Sequence, residues 1–235
     1  APVEHCLTEL LRACYLSTGQ RCTSTSVVAI HKSLEQEFIE KFKEITKKII
    51  VDHPTKAKVD PFMGPLIDEM AVKKYNDSLS LGEKNGAEAI IKNQSLDVGY
   101  QGHYLGASIH YLKEAKKENP FTQEEIFGPA CTFVPYEDID DAISLANISD
   151  YGLAAAIFTS DQAIYKRCLR DIDAGIINLN RSTVGASSKL PFGGVKNSGN
   201  HHPAAVSMID HTVNMISSLE TMDNSSKIKD VKGLR

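Results

Sequence analysis

Three short stretches of the 235-residue sequence combine reactive or ligand-holding side chains with backbone able to expose them. The first is Gly19-Gln-Arg-Cys22-Thr-Ser. A cysteine in a short helix-to-strand connection sits at the edge of a rigid sheet, and Arg21 beside it favours the thiolate if both point the same way. Those are the requirements of a thiol nucleophile. The competing reading is a small buried apolar residue, the role expected of Cys6 and Cys14 on one helical face and of Cys131 in a strand. In the second stretch, Glu124-Glu-Ile-Phe-Gly-Pro129, a Gly-Pro turn leaves a carboxylate and a phenyl ring beside a strand. A carboxylate there can hold ribose hydroxyls and a ring can cover a nicotinamide or an apolar substrate; a solvated helix end and a core phenylalanine are the alternatives. The third stretch, Gly185-Ala-Ser-Ser-Lys-Leu-Pro-Phe-Gly-Gly194, continues to Lys196-Asn-Ser-Gly-Asn-His-His-Pro203. Small residues directly after a strand let a ligand approach the backbone, as in a substrate-binding loop.

Metal chemistry is not expected. His201 and His202 are adjacent and face one ion poorly, and no CxxC or HxxxH pair occurs. Neither G-x-G-x-x-G nor G-x-x-x-x-G-K-[ST] is present, so most of any dinucleotide site is expected outside these residues.

Positioning these stretches requires a frame. Val3, Cys6, Leu7, Leu10, Leu11 and Cys14 recur at three- and four-residue spacing and predict a helix that ends by Gly19. Val27-Val-Ala-Ile30 predicts a buried strand, and Leu34 to Ile49 a helix with a charged outer face. Three prolines and a glycine make Asp52 to Pro65 a loop; Asp68 to Gly82 is expected helical and Ala87 to Ile91 a strand. The second half alternates again: strand Ala130–Val134, helix Asp138–Asn147, strand Ala154–Thr159, helix Asp161–Asp171, strand Gly175–Leu179. A short helix over Ala204 to Asp210 and a last strand over Val213 to Leu219 complete the reading. Helices of this length between short β-branched strands predict parallel crossovers, hence an α/β layered domain with a parallel sheet.

Composition narrows the partners. A formal net charge of −4 offers no general attraction to phosphate backbones or anionic lipid, so neither nucleic acid nor membrane is an expected partner. The longest strongly apolar stretch, Tyr151 to Ser160, is far short of the ~20 residues of a membrane helix. The first residues show no basic region ahead of an apolar run, and an odd set of five cysteines suits a reducing compartment, so a cytoplasmic location is expected.

Taken together, the motifs resemble the C-terminal catalytic domain of the NAD(P)-dependent aldehyde dehydrogenase superfamily. The resemblance runs in order through Gly19-Gln-Arg-Cys22, Glu125-Ile-Phe-Gly-Pro129, Asp141-Ala-Ile-Ser-Leu-Ala-Asn147, Tyr151-Gly-Leu153, Phe158-Thr159, Ala174-Gly-Ile-Ile-Asn178 and Pro191-Phe-Gly-Gly-Val-Lys-Asn-Ser-Gly199. Asn178-Leu-Asn-Arg-Ser-Thr-Val-Gly-Ala-Ser-Ser188 and Ser198-Gly-Asn-His-His-Pro-Ala204 look most like the members acting on succinylglutamate semialdehyde. The resemblance implies that Cys22 attacks an aldehyde, that the thiohemiacetal gives hydride to NAD or NADP, and that water releases the acid from a thioester. It assigns Glu125 to the nicotinamide ribose and Phe127 to the nicotinamide. It makes Thr183 to Ser188, with Gly185 and Ser187 the chosen members, the anchor for the far end of an acidic aldehyde. Succinate or glutamate semialdehyde is the competing substrate, and a non-catalytic binding or assembly module the competing class.

The resemblance also implies absences and partners. The family's general-base segment, Leu-Glu-Leu-Gly-Gly, has no counterpart in the 21 residues before Cys22, so residues 1–211 correspond to a catalytic domain without its NAD-binding partner, expected to be inactive alone. Residues 212–220 match an oligomerisation strand, implying a homodimer or higher oligomer, and 221–235 form a polar tail.

Overall fold

A helix with one apolar stripe must bury that stripe, and α1 (Val3–Tyr15) does so with Leu7, Leu10, Ala13, Cys14 and Tyr15. The partners it buries them against are seen in a computed structural model that describes residues 1–222 and 232–233. Past α1 the chain passes through Ser17, Thr18 and Gly19, all at positive φ, before β1 (Val27–His31) and α2 (Glu35–Thr46). α3 (Glu69–Lys84) starts where the Asp68 carboxylate accepts from the Ala71 N–H at 2.7 Å, a side-chain cap for an otherwise orphaned donor. Then come β2 (Glu88–Ile91), β3 (Ser108–Tyr111), the single turn α4 (Pro120–Gln123) and β4 (Ala130–Tyr136).

The four strands form one sheet in the order β1-β4-β3-β2. β4 runs parallel to both neighbours, whereas β2 is antiparallel to β3 with a register shift between Ala89 and Ile91. The sheet is therefore mixed, with a parallel centre and one antiparallel edge, rather than wholly parallel. Alternation along β4 divides the core in two. Cys131 and Phe133 join α1 and α2, with Phe133 edge-on to Phe42 at 5.5 Å between ring centres, while Ala130 and Val134 join α3 and Phe121 on the other face. With both faces covered, β4 carries apolar residues on each, as a buried parallel strand should.

The second half is built from smaller pieces: α5 (Ile139–Ala146), β5 (Tyr151–Gly152), β6 (Ala154–Ile157), α6 (Gln162–Asp171) and β7 (Ile176–Leu179). α5 and α6 begin at Asp138 and Asp161, whose carboxylates accept backbone N–H groups of the first turn. α6 is the crossover that makes β6 and β7 parallel, but this pair is separate from the four-stranded sheet. The Gly- and Pro-rich stretch contains β8 (Pro191–Phe192), β9 (Val195–Lys196), β10 (Ala204–Ala205) and α7 (Met208–Thr212). Antiparallel pairing of β8 with β10 and of β9 with β5 pins that stretch to the body.

Three local expectations need correcting. β3 was not foreseen because two of its four residues, Ser108 and His110, are polar, yet both are buried. The helix expected over Ala204 to Asp210 is displaced to Met208–Thr212, with β10 ahead of it. Among the described residues Val213 to Leu219 pairs with no strand, and Met215, Ile216 and Leu219 lie open to solvent. The expected polar tail falls, beyond Met222 and apart from residues 232–233, outside the described residues.

His110 gives the fold a pH dependence. Its ring is 1% exposed, lies against Phe121, and neither ring nitrogen finds a hydrogen-bond partner among the described residues. Burial lowers its pKa, and this outweighs the opposing pull of Glu83, whose Oε1 is 3.5 Å from Nε2. The native state therefore disfavours the proton, and this contribution to stability is present above the unfolded value near 6.5 and is lost as pH falls below it. We expect the urea midpoint to drop between neutral pH and pH ~5.5, and to drop less in His110→Asn. An equal drop in both proteins would assign the effect elsewhere.

Candidate active site

The loop that carries Cys22 is fastened on several sides, which leaves its thiol exposed on a rigid mount. The Thr18 hydroxyl donates to the Gly64 carbonyl at 3.0 Å, and the Gln20 side chain accepts from the Ile67 N–H at 2.9 Å. The Thr25 N–H returns to the Ala13 carbonyl at 3.0 Å. Arg21 is turned back on the same loop, its Nε donating to the Ser17 hydroxyl at 2.8 Å. Among the described residues the Cys22 N–H has no acceptor, so it remains available to an oxyanion beside the thiol.

Two contacts join this loop to the other candidate stretches. A Cβ on Gly19 would overlap the carbonyl oxygen of Gly128, so the cysteine loop and the turn that follows Phe127 touch backbone to backbone. The Thr25 hydroxyl lies 2.9 Å from that of Thr183, the first residue of the expected substrate anchor. Thr183 is itself buried between Ser182 and Val184. Neither contact was legible in the residue types, since threonine and glycine are common in loops; only their spatial pairing gives them meaning.

The turn of Glu125 and Phe127 is held from below. The Lys74 Nζ donates to the Glu125 carbonyl at 2.7 Å, and Ile126 between the two candidates is buried in the core. The Tyr75 ring packs against Gly128, and its hydroxyl, with pKa raised by burial, lies 2.9 Å from the Ser108 hydroxyl and donates to the Pro129 carbonyl at 3.1 Å. Phe127 sits at φ 57°, a region that non-glycine residues rarely occupy, and its ring is 38% exposed. Backbone strain of this kind is retained where the surroundings enforce it, commonly at ligand sites. An exposed carboxylate and an exposed ring on one fixed turn fit a nicotinamide riboside, one accepting from hydroxyls and the other offering an apolar face.

Gly185 and Ser187 lie farther along the third stretch, both exposed. Gly185 adopts φ 101°, open to glycine alone at low cost. The Ser187 hydroxyl accepts from the Lys189 N–H at 3.2 Å, closing its own turn. Among the described residues no hydrogen bond ties either of them to Cys22. Among the described residues there is no group of three or more His, Cys, Asp or Glu placed to hold a metal ion, and no helix is long and apolar enough to cross a membrane.

Comparison with known proteins decides the family. The aldehyde dehydrogenase family profile matches residues 1–217. The chain belongs to the aldehyde dehydrogenase family. N-succinylglutamate 5-semialdehyde dehydrogenase of Burkholderia mallei is 34% identical over 212 residues, covering 90% of this chain and 42% of that protein. Its counterpart in Sphingopyxis alaskensis is 32% identical, covering 90% and 43%. Among solved structures, betaine aldehyde dehydrogenase of Staphylococcus aureus in complex with NAD+ superposes with a TM-score of 0.82 at 25% identity, over 90% of this chain and 41% of that one. An NAD-dependent aldehyde dehydrogenase of Sinorhizobium meliloti, at 23% identity and TM-score 0.82, shares the fold over 89% of this chain and 41% of its own. The aldehyde dehydrogenase chain described here thus spans less than half the length of these relatives.

Proposed function

We propose that the chain supplies the nucleophile and the substrate side of an NAD(P)-dependent aldehyde dehydrogenase acting on an acidic semialdehyde. Succinylglutamate semialdehyde is the favoured substrate, since it is the one for which the relatives at 32–34% identity are named. The observation that carries the reading is an exposed Cys22 on a loop packed against both the Phe127 turn and Thr183. Cys22 as thiolate attacks the aldehyde carbon, and its own N–H donates to the oxygen that becomes negative. Glu125 would accept from the ribose hydroxyls of a nicotinamide cofactor and Phe127 would cover its ring. When bound, the nicotinamide cofactor supplies the hydride acceptor. The thioester left on Cys22 is hydrolysed by water, activated by a base outside these residues. The chain's place of work in this reading is a reducing, cytoplasmic compartment. The exposed Met215, Ile216 and Leu219 suit a segment at 212–220 that adds to a neighbouring subunit.

The test begins with the thiols. Iodoacetamide is expected to alkylate Cys22 faster than Cys6, Cys14, Cys131 and Cys168, while the 235 residues alone oxidise no aldehyde. Joined to a segment that provides base and cofactor half, they are expected to turn over acidic semialdehydes in preference to neutral ones. Equal alkylation of all five cysteines, followed by no turnover in the joined protein, would favour a binding or assembly module instead.

A further inference from the structure

α1 and the segment leaving β7 border an open groove with a volume of about 500 Å3. His5, Glu9 and Arg12 line one wall; Asn180, Arg181 and Ser182 line the other. Most of its polar groups are already paired. The Glu9 carboxylate accepts from the Ser182 N–H at 2.8 Å and from the Arg12 guanidinium at 2.7 Å, which holds its pKa below the usual range and neutralises Arg12. His5 Nε2 donates to the Asn180 carbonyl at 2.7 Å. Arg181, exposed at the groove's edge, is the exception, with neither an ion pair nor a hydrogen bond to any described residue, so the groove has one cation without a protein partner.

That cation lies close in the chain to the contact that joins the Cys22 loop to the loop after β7. Arg181 is two residues before Thr183, whose hydroxyl meets Thr25, three residues after Cys22. One guanidinium nitrogen lies 3.8 Å from the position a Cβ on Gly185 would take, so Arg181 borders the expected substrate anchor as well as the groove. Leu16, one turn before the cysteine loop, completes the groove on that side.

We propose that Arg181 selects the substrate by pairing with a carboxylate at the far end of an aldehyde whose carbonyl carbon faces Cys22. The proposal rests on the reading of Cys22 and the loop after β7 given above. A guanidinium fork binds a carboxylate through two parallel N–H···O bonds, and an unpaired one loses no prior partner in doing so. Gly185 and Ser187 then shape the loop around the anion, and the positive charge comes from Arg181.

Glutarate, a five-carbon dicarboxylate without a reactive carbonyl, serves as probe with the chain as it stands. Titration calorimetry is expected to show saturable glutarate binding that weakens with added salt, and glutarate is expected to slow alkylation of Cys22. Arg181→Gln should raise the glutarate Kd about tenfold or more, Arg181→Lys should recover part of that loss, and Lys48→Gln, remote from the groove, should leave it unchanged. No glutarate binding at millimolar concentration, or binding equally tight in Arg181→Gln, overturns the proposal. The catalytic reading fails separately: if Cys22 is no more reactive than the other thiols while calorimetry still depends on Arg181, the anion site stands and the nucleophile does not.

Discussion

On the proposed function, Cys22→Ser is expected to reduce aldehyde oxidation by about four orders of magnitude or more once the chain is joined to a segment that provides a base and a cofactor half. A serine hydroxyl at this position has neither the acidity nor the nucleophilicity of a thiol at neutral pH, and among the described residues no histidine hydrogen-bonds to Cys22. The fold should be untouched, because Cys22 is exposed on a loop whose fastening is done by Thr18, Gln20 and Thr25. Its effect on the urea midpoint should lie within about 0.5 kcal/mol of zero. Cys14→Ser is the informative contrast. Burial pushes the Cys14 thiol well above its usual range, so it is no nucleophile, but it sits 1% exposed in the α1 core. A hydroxyl there must be desolvated, so the expected result is a stability loss of about 1–3 kcal/mol with the chemistry per folded molecule retained. Turnover by Cys22→Ser within tenfold of the parent would remove Cys22 from the mechanism.

The ordering of helix and strand was legible because the apolar spacing is regular where elements are long. α1, α2 and α3 each bury several residues along one stripe, α5 and α6 bury Leu145 and Cys168, and Asp68, Asp138 and Asp161 stand at three of the helix starts. β3 was illegible for the opposite reason: Ser108-Ile-His-Tyr has no apolar signature, and its burial depends on Tyr15 and Tyr75, distant in sequence, whose hydroxyls meet Ser108. Strand pairing was equally out of reach. Residue types do not tell that β2 turns antiparallel or that β6 and β7 leave the main sheet, because local pattern carries no information on which edge a strand joins. For the site, Cys22, Glu125 and Phe127 stood out by type and neighbourhood, but the residues joining them are Gly19, Thr25, Gly128 and Thr183. Arg181 was passed over since an arginine in a polar loop is ordinary. Its meaning comes from Glu9, 172 positions earlier, neutralising Arg12 and leaving Arg181 alone in the groove.

Gly19→Ala is expected to destabilise the fold by about 2–5 kcal/mol and to lower activity beyond what the loss of folded protein explains. Two separate costs meet at this residue. At φ +68° an alanine is in left-handed backbone, worth about 1–2 kcal/mol. Its Cβ would also overlap the Gly128 carbonyl and come within 3.2 Å of the Cys14 carbonyl, both backbone groups that no rotamer change can move aside. Overpacking of that kind adds about 1–3 kcal/mol, because relief requires the Cys22 loop to lift away from the Phe127 turn. Gly86→Ala separates the two costs, since Gly86 has φ +95° but open space around it and carries the conformational cost alone. Gly64→Ala, with neither positive φ nor neighbours, should be close to neutral. Urea unfolding of the three variants therefore reads strain from Gly86 and packing from the excess at Gly19. If Gly19→Ala is no more damaging than Gly86→Ala, the backbone contact is not what joins the Cys22 loop to the Phe127 turn. If the excess is present, nicotinamide affinity and Cys22 reactivity should fall together, because one displaced loop carries one and presses on the other.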